Sequence, residues 1–237
     1  MRFCVIACHV LWREISRIGA EGPHVIHPHF LQFGLHHTPD LLRAELQRLI
    51  DEHDSGEFDA ILLGYGLCGN GTLGISSGST RLVMMRGHDC ITFLLGSRER
   101  YTRCFEEYPG TYWYSPGWID NDAVPGEEQD ERLRREYADV YGPEKAEMLV
   151  RAYRKGLENY REAKLIDQGL FPMERYEEYT KRNACYTGLR YDTVEGSPKL
   201  IEDFLGGNWD RDRFLVVEPG HNIEAAADEC IVEQGRG

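Results

Sequence analysis

Basic residues are scarce in this sequence. Lysine and arginine number 27 against 40 aspartate and glutamate, for a net charge of −13. Nonspecific nucleic-acid binding needs a basic face, and an anionic membrane surface repels this balance. Neither partner is expected. Long apolar runs are also missing. The N-terminal run is only Phe3 to Ala7, too short for a signal-peptide core, and no small-x-small cleavage site follows it. No window approaches the ~20 apolar residues of a membrane span. The expectation is a cytoplasmic protein. No internal repeat and no low-complexity tract interrupts the chain. A dinucleotide fingerprint is missing as well. Gly64, Gly66 and Gly69 have its first spacings, but they do not follow the first strand and the acidic residue is not in its place.

What is present suits a core. The 237 residues are 41% hydrophobic and 28% charged, as in soluble globular chains, and long enough to bury a large interior. "RFCVIAC" reads as a first strand. "HVLWREISRIG" reads as a helix with Val10, Leu11, Ile15 and Ile18 on one face, and "HVIHPHFLQFG" as a segment with a strand-like part ending in a glycine turn. "HTPDLLRAELQRLIDEHD" begins with Thr38 as N-cap and Pro39 at the first helical position. Leu41, Leu42, Leu46, Leu49 and Ile50 form its apolar stripe. "FDAILLGYG", "TRLVMMRGHD" and "TYWYSPGW" read as strands three, four and five, with one helix between the last two. Strands alternating with helices predict an α/β fold with a doubly wound, mostly parallel sheet in an order near 2-1-3-4-5. One domain is expected over 1–237, with a helical insertion at 120–182. "FLVVEPG" should add a last strand to the same sheet, and the tail after His221 has no strong pattern.

Seven cysteines, an odd number, point in an intracellular chain to core residues, metal ligands or reactive thiols rather than staples. In doubly wound sheets ligands bind beyond the carboxyl ends of the strands. Cys8 closes the first strand, Cys68 lies past the third, and His88 and Cys90 lie past the fourth. Neighbouring strands are about 4.8 Å apart, and the order 2-1-3-4-5 makes strands one, three and four adjacent, so these residues should meet at one edge. Thiolates with an imidazole are soft ligands suited to zinc or iron. Cys8, Cys68, His88 and Cys90 are therefore the candidate metal ligands. In an extended segment His88 and Cys90 leave the same face, as a chelate needs.

The loop "GYGLCGNG" should let a ligand approach bare backbone beside Cys68. Gly64, Gly66, Gly69, Asn70 and Gly71, with Asp89, are the candidates to line a cofactor or a small-molecule substrate. His36 is the candidate general acid/base or donor beside the metal. Cys4, Cys104 and Cys230 read as small buried hydrophobes. Cys185 is left open. The cluster His24, His27, His29 could bind a metal, but Pro23 and Pro28 interrupt it and suggest a solvated loop. Glu14 could face either way.

"LLGYGLCGNGTLGI", "RGHDCITFLLGSRERY" and "PGTYWYSPGWI", with "VIAC", "FGLHHTPDLLR" and "FLVVEPG", resemble the domain of unknown function 1638 family over nearly the whole chain. "FGLH" stands where the family pattern has "QGLH". The resemblance implies a neighbourhood of corrinoid proteins and trimethylamine-methyltransferase-like enzymes, hence a role in corrinoid-dependent methyl transfer. A zinc held by a His-x-Cys pair and a distant cysteine, as in several corrinoid-linked methyltransferases of a different barrel fold, fits that role. Three readings follow. One is a zinc-dependent methyltransferase or component of one-carbon transfer. The second is an iron–sulfur protein on Cys8, Cys68 and Cys90. The third is a non-catalytic module binding a corrinoid or metal, although the D-x-H-x-x-G corrinoid motif is absent.

Overall fold

The computed structural model describes residues 1–121 and 124–235. Residues 122 and 123, within the expected insertion, and 236–237, within the expected 1–237 domain, lie outside the described residues. Two compact units make up the chain. One is 1–101 with 197–237, and the other is 102–196.

The first unit is built on a mostly parallel sheet. Its early elements are β1 (Arg2–Cys8), α1 (Trp12–Glu21), β2 (Val25–Leu31), α2 (Pro39–His53), β3 (Ala60–Gly64), β4 (Leu82–Met85) and α3 (Cys90–Leu95). Helix α4 (Arg98–Glu107) carries the chain across the division at Tyr101. The inner strands are apolar throughout because they are covered on both faces. Every residue of β3 and β4 is buried, and so is β1 after Arg2. Helix α2 starts with Pro39 at its first turn and buries Leu42, Leu46, Leu49 and Ile50. Each such side chain contributes about 1.5–3 kcal/mol by leaving water. Leu41, expected in that stripe, is exposed. The helix expected after strand four is two, because Gly96 takes a left-handed φ of 92° and ends α3.

The second unit contains β5 (Thr111–Tyr114), α5 (Pro116–Asp120), α6 (Glu127–Tyr141), α7 (Pro143–Gly156), β6 (Glu162–Asp167), α8 (Glu174–Thr187) and β7 (Arg190–Glu195). Its three strands are parallel in the order β5-β6-β7. Tyr114, Ile119, Ala163, Leu165, Tyr176 and Ala184 form its core. Two expectations change here. The stretch 120–182 is helical through α6 and α7, but "EAKLID" within it is the central strand β6. Its apolar run is interrupted by Lys164, which is buried and neutralised by Glu162 and Asp192. Strand β5 joins this second sheet, not the first.

The chain then returns to the first unit through α9 (Lys199–Gly206) and β8 (Phe214–Val217). Strand β8 runs antiparallel to β4, so the main order is β2-β1-β3-β4-β8. The first four places match the expected order, and "FLVV" joins the sheet. Beyond His221, where no pattern was visible, β9 (Ile223–Ala225) and β10 (Val232–Gln234) pair as an antiparallel ribbon. Strand β2 lies at the sheet edge and includes Pro28. An edge strand bonds on one side only, so a proline is tolerated there. His27 and His29 are therefore on a strand and not in a solvated loop. Among the described residues no helix is long and apolar enough to cross a membrane.

Candidate metal centre

The parallel register carries three cysteines to one end of the sheet. Ala7 of β1 lies beside Gly64, the last residue of β3, and Cys8 follows it. The loop after β3 continues along the loop after β4. Leu67 N–H donates to the Gly87 carbonyl at 2.9 Å and Cys68 N–H to the His88 carbonyl at 2.9 Å. Cys90 then begins α3, whose first turn is capped by Asp89 Oδ1 accepting from Ile91 N–H at 2.9 Å.

The three thiols share one electrostatic environment. Burial pushes Cys8 up to about 11. Burial, then the Cys8 thiol and the Asp89 carboxyl, push Cys68 up to about 12. Burial, then Asp89, Cys8 and Cys68, raise Cys90 well above the ordinary thiol range. Like charges this close cannot all ionise unless a cation joins them. Tyr65, which the sequence reading passed over, belongs to this group. Burial, then Cys8, Cys68 and Cys90, raise its hydroxyl. That hydroxyl is buried and has no hydrogen-bond partner among the described residues. Its sequence signal is a lone aromatic between Gly64 and Gly66 at the end of a buried strand.

The backbone at Cys68 is unusual. Cys68, Gly69 and Asn70 take successive left-handed φ values of 46°, 64° and 70°. Left-handed non-glycine residues cost about 1 kcal/mol or more each and gather at functional sites. Two features hold this turn. Thr72 Oγ1 donates to the Gly66 carbonyl at 3.2 Å. Arg43 of α2 donates through Nε to the Leu73 carbonyl at 2.7 Å and through Nη2 to the Asn70 carbonyl at 3.0 Å.

The glycines serve packing more than ligand access. A Cβ on Gly66 would stand 2.5 Å from the Gly87 carbonyl oxygen, so its smallness lets the two loops zip together. Gly64 and Gly71 are likewise filled against Ala7 and Leu42. Gly69 is different. Its nearest neighbour would be the His36 carbonyl at 3.6 Å, and its constraint is the positive φ.

The remaining candidates are placed as follows. Asp89 accepts from Tyr101 Oη at 3.1 Å, and burial raises its carboxyl. His88 is exposed, with its ring 6.2 Å from that of Tyr101. The H-x-C pair is not an extended chelate, because the helix starts at Cys90. His36 lies in a single 3-10 turn, half-buried between Phe33 and His37. Burial, then His37, lowers its imidazole. Its carbonyl, rather than its ring, is what stands beside Gly69. Cys104 is buried as expected, Cys185 is exposed, and Cys230 is only half-buried. Glu14 is buried in α1.

Among the described residues, one group has three possible metal donors all within 4.8 Å of one another: Cys4, His29 and His53. Residues of this chain could thus hold a metal. It is not the group expected at the strand ends, Cys8, Cys68, His88 and Cys90.

In the other unit a cavity of about 360 Å³ opens at the carboxyl ends of β6 and β7. Asp167, Glu177, Thr193 and Glu195 are among its lining residues.

No curated protein matches the chain. No solved structure matches it either. The family described as "Protein of unknown function (DUF1638)" matches residues 30–205, a span that takes in α2, the Cys68 loop and Cys90. The chain belongs to that family.

Proposed function

We propose that this is a metalloprotein whose working centre is a cluster of iron and sulfide held by Cys8, Cys68 and Cys90. The observation that carries this reading is the gathering of three thiols and the partnerless Tyr65 hydroxyl at the carboxyl ends of β1, β3 and β4, where Cys8, Cys68 and Cys90 all act on Tyr65. Three thiolates supply three ligands and leave one iron for a small molecule, or for electron exchange with a partner. Tyr65 Oη, buried and without a partner among the described residues, would donate a hydrogen bond to the bound group, and donors near sulfur tune such centres. Asp89 and Tyr101 form a hydrogen-bonded acid pair beside Cys90. Arg43 and Thr72 fix the turn that presents Cys68.

The thiol set also suits zinc, the ion that the methyltransferase reading calls for. A place in corrinoid-dependent methyl transfer, with a corrinoid protein as partner, rests on the family resemblance.

One preparation tests these readings. Protein purified without oxygen and without chelator should be brown, with several irons and matching acid-labile sulfide per chain. Cys68→Ser should be colourless and still folded. A colourless native protein with zinc displaced by Cys68→Ser gives the methyltransferase reading the advantage. Absence of both metals from the strand ends reduces the site to three thiols and overturns the proposal. Titration with free cobalamin, followed by its visible spectrum, tests the corrinoid-binding module.

A further inference from the structure

We propose that Cys4, His29 and His53 form a separate metal site for a divalent ion of the zinc class, clipping the edge strand β2 to the helix α2. The argument begins with alternation. In the parallel register Cys4 lies beside His27 and Ile6 beside His29. Side chains at i and i+2 share a face, so Cys4, His27 and His29 stand on one side of the sheet. Helix α2 packs against β1, and its last residue is His53. Strand, edge strand and helix end thus each deliver one donor. The sulfur and one nitrogen from each imidazole lie within 4.8 Å of one another.

Details of packing favour a metal over a plain core. The rings of His29 and His53 are 4.3 Å apart at 37°. His53 Nε2 is buried and has no hydrogen-bond partner among the described residues. A buried nitrogen left without a partner is destabilising, and a coordinated ion would satisfy it. Phe58 closes the group on another side, with its ring 5.3 Å from His27 and 6.0 Å from His53. Glu52 is close enough to act on both Cys4 and His29. That carboxylate and the negative end of α2 both favour a cation here.

The donor chemistry narrows the ion. One thiolate with two imidazoles is a borderline-soft set, suited to zinc and to cobalt(II) as its probe, and poor for magnesium or calcium. The position narrows the role. Cys4 is four residues before Cys8 on the same strand, about 13 Å away at ~3.3 Å per residue. Ligands of such sheets react at the carboxyl ends. A metal in the body of the sheet is a structural clip on an edge strand that is otherwise bonded on one side.

The test separates this site from the strand-end thiols. The variant Cys8→Ser/Cys68→Ser/Cys90→Ser is loaded with zinc, desalted and assayed for metal. One zinc per chain is expected. Cobalt(II) should give the near-ultraviolet charge-transfer band of a thiolate ligand. Adding His53→Gln should remove at least nine-tenths of the zinc, abolish that band, and abolish the rise in melting temperature caused by zinc. No zinc in the folded triple variant, or zinc retained after His53→Gln, overturns the proposal. If the triple variant does not fold, His53→Gln in the otherwise unchanged chain should remove one zinc per chain and leave the iron content unchanged. Equal zinc in both chains would then sink it.

Discussion

The two donor groups on β1 are built in opposite ways. At the strand ends, the three thiols stand on the last residue of β1 (Cys8), a left-handed turn in a loop (Cys68) and the first residue of α3 (Cys90). At Cys4, one thiol meets two imidazoles on a strand, a strand and a helix. Loops at the carboxyl ends can shift and leave coordination open, as reactive centres need. Regular elements cannot shift without breaking the sheet, so donors on them suit a fixed ion. The first group should be sensitive to loop geometry and the second to packing.

The largest expected effect breaks the first group alone. Cys68→Ser should abolish iron and sulfide, measured by elemental analysis and visible absorption, with zinc content unchanged. Loss of both metals together would show one shared site. Next in size is the pH response of the second group. Burial, then Glu52, push the Cys4 thiol up to about 12, so it is protonated at neutral pH. Burial, then His53, lower His29, so its imidazole is already neutral there. Zinc binding must displace one proton, and affinity should rise about tenfold per pH unit between pH 7 and 8. Competition against a chromophoric chelator measures the slope. A flat profile would mean Cys4 is not a ligand.

Smaller effects probe the turn. Arg43→Ala removes two hydrogen bonds from a guanidinium to the loop carbonyls and should cost about 1–3 kcal/mol in urea unfolding. Iron occupancy should fall with it, and Arg43→Lys should rescue only in part, since one ammonium does not reproduce the fork. Gly69→Ala should be mildest. The added methyl has room, with its nearest neighbour at 3.6 Å, so the left-handed φ alone should cost about 1 kcal/mol. Occupancy per folded molecule should stay normal. Lost occupancy with unchanged melting would show that a ligand lies against Gly69.

The sequence by itself determined the sheet and its thiol edge. Continuous apolar runs marked β1, β3 and β4 as inner strands, and chain order with short crossovers placed Cys8, Cys68 and Cys90 at their carboxyl ends. That inference needed no side-chain geometry. Only the tertiary structure decided what meets those thiols. His88 falls just before a helix start and turns outward, while Arg43 reaches the loop from α2 by packing that no local pattern records. The Cys4 group was equally hidden. Pro28 suggested a loop until β2 proved to be an edge strand, and His53 comes to His29 because α2 folds back over the sheet. Periodicity reports which face of an element is buried, because burial repeats along it. It does not report which residue of another element stands opposite, because that depends on register and packing between segments distant in the chain.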